Sequence, residues 1–160
     1  MTRSTRGQRG FTLLEVLIAV LVMSIGLLGV GTLQFTSLKG SQDAYVRSQA
    51  AFLAYGITDS MRVNLPAART GQYDVALGGT FSSTTKTCIG AAANCTPPEL
   101  AVFDLMSWKQ DLGQTLVEGN GTIATDVDPI TGVATVTVTV WWKSMQGSGE
   151  DQSLIVEVDI

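Results

Sequence analysis

The sequence contains no histidine at all. That removes the usual general base near neutral pH and the commonest metal ligand, so histidine-dependent catalysis is excluded. Cysteine is nearly absent too: Cys88 and Cys95 are the only two, separated by Ile-Gly-Ala-Ala-Ala-Asn. They form no C-x-x-C motif and have no histidine to complete a zinc set, which leaves a redox pair or metal site as the weaker reading beside a disulfide closing a short loop. Only four prolines occur, none before Pro66, so nothing in the first 65 residues forbids helix. No glycine-rich phosphate loop and no nucleophile with a paired base appears, and no enzyme class or cofactor is supported.

What is present is an apolar run over residues 11–35, interrupted by one acid, Glu15. As helix, its 25 residues extend roughly 37 Å, against about 30 Å of membrane hydrocarbon. Arg3, Arg6 and Arg9 precede it and no charge follows until Lys39 and Asp43. The positive-inside bias therefore expects a cytoplasmic N-terminus, with everything after about residue 40 facing outward. That places Cys88 and Cys95 in an oxidising compartment, where a disulfide is expected.

A secretory signal peptide does not explain this run, because its apolar region is only about 7 to 15 residues and ends at a small-residue cleavage site. Ala19 and Ala50 sit in no such site. A plain membrane anchor accommodates the length but not Glu15, since a carboxylate at the centre of a membrane helix costs about 2.5–3.5 kcal/mol. Cutting between Gly10 and Phe11 would create an α-amino group one helical turn from Glu15 and supply an opposite charge.

Gly10-Phe11-Thr12-Leu13-Leu14-Glu15, continued by Val16-Leu17-Ile18-Ala19-Val20, resembles the class III signal of type IV pilins and type II secretion pseudopilins. The resemblance implies that a prepilin peptidase cuts after Gly10 and methylates Phe11. It also implies that Glu15 neutralises an N-terminal amine, commonly a neighbour's, as the helices bundle. Ser24-Ile25-Gly26-Leu27-Leu28-Gly29, residues 54–64 and the stretch around Trp108 are similar to the PilV-type minor pilins. Major pilins commonly close a disulfide near the C-terminus, whereas these cysteines lie mid-chain. The implied partners are other minor pilins, the major pilin, the assembly platform in the inner membrane and a tip adhesin. The implied location is first the inner membrane and then the pilus at the cell surface, and the implied processes are pilus assembly, adhesion and twitching motility. A type II secretion pseudopilin is the alternative.

The expected organisation is a cleaved leader, 1–10; a transmembrane and filament-core helix, 11–35; and an outward domain, 36–160. Losing the leader's three arginines takes the formal charge from −4 to −7, against a basic nucleic-acid surface.

Leu38, Tyr45, Phe52, Leu53, Ile57 and Met61 recur at helical spacing, so the helix is expected to continue from Phe11 to about Asn64, where Leu65-Pro66 ends it. Gly26, Gly29, Gly31 and Gly40 either loosen it or permit close helix packing. Residues 67–95 read as loop, with extended candidates at 73–77 and 80–81.

Thr96-Pro97-Pro98-Glu99 is a capping-box pattern, and Val102, Leu105, Trp108, Leu112 and Leu116 make the following helix's apolar stripe. Trp108 reads as a core anchor. Ala134 to Trp142 alternates with threonine, and Leu154 to Ile160 alternates likewise, giving two strands about Gly147-Ser148-Gly149 and a third near 122–127. Trp141, on the threonine side, is either an exposed interface contact or covered by the 67–95 loop. Laying the helix across the sheet gives an α+β roll, which the resemblance also implies. Asp126 and Asp128 offer alternating oxygens for calcium, but lack an EF-hand's distal glutamate; a turn is the favoured reading.

Overall fold

A computed structural model describes residues 11–79, 87–90, 94–144 and 151–160. The chain divides into two compact units, Met1–Ser41 and Gln42–Ile160. Helix α1 runs Leu13–Val63, followed by a single turn, α2, at Leu65–Ala68 and by α3 at Pro97–Thr115. Three strands close the order: β1 Asn120–Val127, β2 Ala134–Lys143 and β3 Asp151–Asp159.

The sheet is antiparallel in the order β1-β2-β3. Asn120 faces Trp141 and Val127 faces Ala134 across the first pair, while Thr135 faces Asp159 and Lys143 faces Asp151 across the second. Side chains alternate across a strand, so register places Ala134, Val136, Val138, Val140 and Trp142 on one face, all buried. The threonines between them stay half-exposed on the other. This is the α+β arrangement expected, with the outer part of α1 packed on a small antiparallel sheet.

The buried face of α1 differs from the expected stripe. Leu53, Ile57 and Met61 lie on it, but Leu38, Tyr45 and Phe52 are 63%, 65% and 73% exposed. Ala50, Ala54 and Thr58 take the remaining buried positions. Small side chains let a helix backbone come close to its neighbours, so the contact selects alanine where hydrophobicity alone selects the large residues. Thr58 satisfies its buried hydroxyl by donating to the Ala54 carbonyl at 2.9 Å.

Pro66 does not end helical structure. The chain breaks one residue after α1, at Asn64, and Pro66 sits in the first turn of α2, where a missing N–H costs nothing. Asn64 is held by tertiary bonds: its Nδ2 donates to the Pro97 carbonyl at 2.8 Å and to the Tyr73 hydroxyl at 3.2 Å. The extended candidate at 73–77 reduces to one antiparallel bridge between Val75 and Ile123. The candidate at 80–81 and the turn at Gly147-Ser148-Gly149 lie outside the described residues.

In α3 the Glu99 carboxylate accepts from the Thr96 N–H at 2.7 Å, closing the expected N-terminal cap. The stripe begins at Ala101 rather than Val102, then continues through Leu105, Trp108, Leu112 and Leu116. Trp108 anchors the core: its indole N–H donates to the Leu53 carbonyl at 3.1 Å, and its ring lies against Gly121, where a Cβ would come within 2.5 Å of it. Lys109 reaches from α3 to β1, donating to Asn120 Oδ1 at 2.6 Å and to the Gly121 carbonyl, and burial pushes its pKa down.

Candidate assembly site on the N-terminal helix

Thr12 precedes α1 and turns its hydroxyl back onto it. The Glu15 N–H donates to Thr12 Oγ1 at 3.3 Å and to the Thr12 carbonyl at 3.1 Å. Thr12-x-x-Glu15 is thus an N-terminal cap with the acid at the third helical position, where a carboxylate meets the positive end of the helix dipole. The same Thr-x-x-Glu signal that marks α3 stands at Thr12, though the sequence reading assigned Thr12 no role.

Phe11 and Glu15 lie one turn apart with Val16, Ala19, Val20 and Met23 on the same side of the helix. Phe11 is 83% exposed, Glu15 is exposed, and among the described residues no cation pairs with Glu15. Gly10 lies outside the described residues.

Every residue from Phe11 to Leu38 is exposed. The most apolar window of α1 has a mean hydropathy of 2.6, is long enough to cross a membrane, and has none of its residues buried. Each large apolar side chain left in water forgoes about 1.5–3 kcal/mol, so this exposed surface fits membrane anchoring and packing in a pilus. Its polar side chains suit that setting. Ser24, Thr32 and Thr36 donate to the carbonyls of Val20, Gly29 and Thr32 at 2.7, 2.8 and 2.9 Å, so these hydroxyls need no water. A Cβ at Gly26, Gly29, Gly31 or Gly40 would meet nothing within 4 Å among the described residues, and α1 stays helical through all four.

Cys88 and Cys95 are joined, with their Cα atoms 5.8 Å apart, and the bridge ends next to Thr96, the cap of α3. Asp128 is engaged by the β1–β2 connection: its Oδ1 accepts from the N–H groups of Ile130 and Thr131 at 2.7 and 3.2 Å. Those bonds hold its carboxyl below the usual range. Asp126 faces Thr135 from within β1, and no group of side chains suited to hold a metal occurs among the described residues. Trp141 is half-buried, flanked by Asn120 and Ser153 on the neighbouring strands.

Residues 5–31 match the model of the prokaryotic N-terminal methylation motif, and residues 32–106 match the model of the family described as type IV pilin Tt1218. No curated protein and no solved structure matches. The methylation motif covers the capped acid and α1 as far as residue 31, and the pilin model continues from there through the first half of α3. With the leader, the apolar helix and the α+β roll in one chain, this protein belongs to the type IV pilin family.

Proposed function

We propose that this chain is a minor pilin of the type IV pilus, a PilV-type subunit that primes assembly and remains at or near the tip. Prepilin peptidase cuts between Gly10 and Phe11, methylates Phe11, and leaves the domain from residue 36 facing the periplasm. The assembly platform then draws α1 out of the inner membrane into contact with other minor pilins, the major pilin and a tip adhesin. The role is structural and involves no catalytic residue.

One observation supports this reading: Glu15 is a capped, exposed acid with no cationic partner among the described residues, in the first turn of a helix whose apolar side chains from Phe11 to Leu38 are all exposed. A neighbouring subunit's N-terminal amine would neutralise it as the helices bundle, and exclusion of water would strengthen that attraction. Glu15→Ala is expected to leave the protein inserted in the membrane and processed, but to remove it from sheared filaments. Wild-type incorporation would defeat the pairing.

The methylation motif serves a type II secretion pseudopilin equally well. Deleting the gene separates the two: lost surface pili with normal secretion supports the pilus, whereas lost secretion with normal pili assigns the chain to the secretion system.

A further inference from the structure

We propose that the outer edge of β3 accepts a fourth strand from another protein, an extended segment that alternates apolar residues on its inner face with basic residues on its outer face.

Register shows which backbone groups are available. Ala134 and Ile160 exchange both hydrogen bonds, at 2.9 and 3.4 Å. In an antiparallel ladder such bonded pairs alternate with non-bonded ones, so Val136/Val158, Val138/Val156 and Val140/Leu154 are bonded too. The amides and carbonyls of Ser153, Ile155 and Glu157 therefore point away from β2. Among the described residues no strand pairs with them. The opposite edge of the sheet differs, because Val75 and Ile123 exchange bonds of 3.0 and 3.1 Å there.

A second observation concerns the inner face. Val136, Val138 and Val140 on β2 are completely buried, whereas on β3 only the central Val156 is buried and Leu154 and Val158 on either side are half-buried. The apolar layer thus thins toward this edge, and a further strand with inward apolar residues would cover Leu154 and Val158.

The outer face selects the partner's charge. Asp151, Ser153, Ile155, Glu157 and Asp159 lie there, with Ile155 60% exposed. Asp151 sits opposite Lys143, which itself pairs with Glu118 at 2.7 Å, and Asp159 accepts from Thr135 at 2.8 Å. Glu157 faces Thr137 across the register. β3 carries no basic residue. Two copies pairing antiparallel through β3 about Ile155 would set Asp151 against Asp159 and Ser153 against Glu157, so the charges discourage self-association. A basic strand meets the same carboxylates favourably, and its main chain supplies the bonds that the edge lacks.

The test uses the full chain in detergent micelles and a nine-residue peptide alternating lysine and valine, with a glutamate–valine peptide as control. Amide exchange is read residue by residue by NMR. With the lysine peptide at ten times its dissociation constant, the Ser153, Ile155 and Glu157 amides should slow about tenfold. The Leu154, Val156 and Val158 amides, already bonded to β2, should not change. Glu157→Lys should weaken the lysine peptide about threefold. Ile155→Pro should abolish binding while removing only an outward N–H, a position where an edge strand tolerates proline. No protection, equal protection by the glutamate peptide, or protection of both sets of amides would each overturn the proposal.

Discussion

Replacing Tyr73 with phenylalanine should destabilise the outer domain by about 2 kcal/mol at neutral pH, and by less in acid. Tyr73 is completely buried, and its hydroxyl donates to Asp104 Oδ2 at 2.6 Å while accepting from Asn64. Since Asn64 also donates to the Pro97 carbonyl, the group ties the end of α1 to the start of α3 through the intervening loop. A hydrogen bond to a charged acceptor contributes about 1.5–3 kcal/mol net. The longer Asn64 contact adds little, because Asn64 keeps Pro97.

Burial raises the pKa of Asp104, and the Tyr73 hydroxyl works in the opposite direction by stabilising the carboxylate. Tyr73's own pKa is raised, first by burial and then by the Asp104 bond, so the hydroxyl stays protonated as a donor. A carboxyl whose folded pKa is raised contributes stability that is complete below its unfolded value, about 3.9, and is lost as pH rises through the folded value. Without the hydroxyl, Asp104 rises further, so the variant's penalty is largest with the carboxyl ionised. Once Asp104 is protonated, only a neutral hydrogen bond is missing, a loss of about 1 kcal/mol.

Chemical denaturation of the full chain in detergent, followed by fluorescence of Trp108, Trp141 and Trp142, gives both numbers. A neutral-pH loss below about 0.5 kcal/mol would put the variant among unremarkable surface changes and refute the reasoning. So would a penalty that grows in acid.

Two glycines should respond in opposite directions. Gly121→Ala places a Cβ 2.5 Å from Trp108 Cη2 and 2.9 Å from the Thr139 carbonyl, so the same denaturation assay should show a loss of about 1–3 kcal/mol. Gly113→Ala, in open space within α3, should gain up to about 1 kcal/mol. The Cys88→Ser/Cys95→Ser double variant should lose about 2.5 kcal/mol, the chain-entropy value for so short a loop, read as a lower denaturation midpoint.

Much of this was legible because period and punctuation act locally. The switch to alternation at Ala134 marked β2 and its buried face, and Thr96-Pro97-Pro98-Glu99 marked the start of α3. Where the outcome depended on how closely two elements approach, the sequence misled. Tyr45 and Phe52 are the larger apolar side chains, yet Ala50 and Ala54 are the ones the core encloses. The helix end expected near Asn64 falls at Val63, but Pro66 takes the first turn of α2 instead of ending helical structure, and Asn64 at the break bonds to Pro97 and Tyr73. At the assembly site the acid and its apolar helix stood out as an unbalanced charge. The Thr12 cap carries the same Thr-x-x-Glu spacing as the start of α3, but it serves only the first backbone turn and leaves the charge of Glu15 unbalanced.

The most direct measurement is mass spectrometry of the N-terminal peptide from native membranes. A chain that begins at methylated Phe11 is the expected result. An intact Met1 to Gly10 leader in cells with active prepilin peptidase would contradict it, leaving Glu15 without the amine it is proposed to meet.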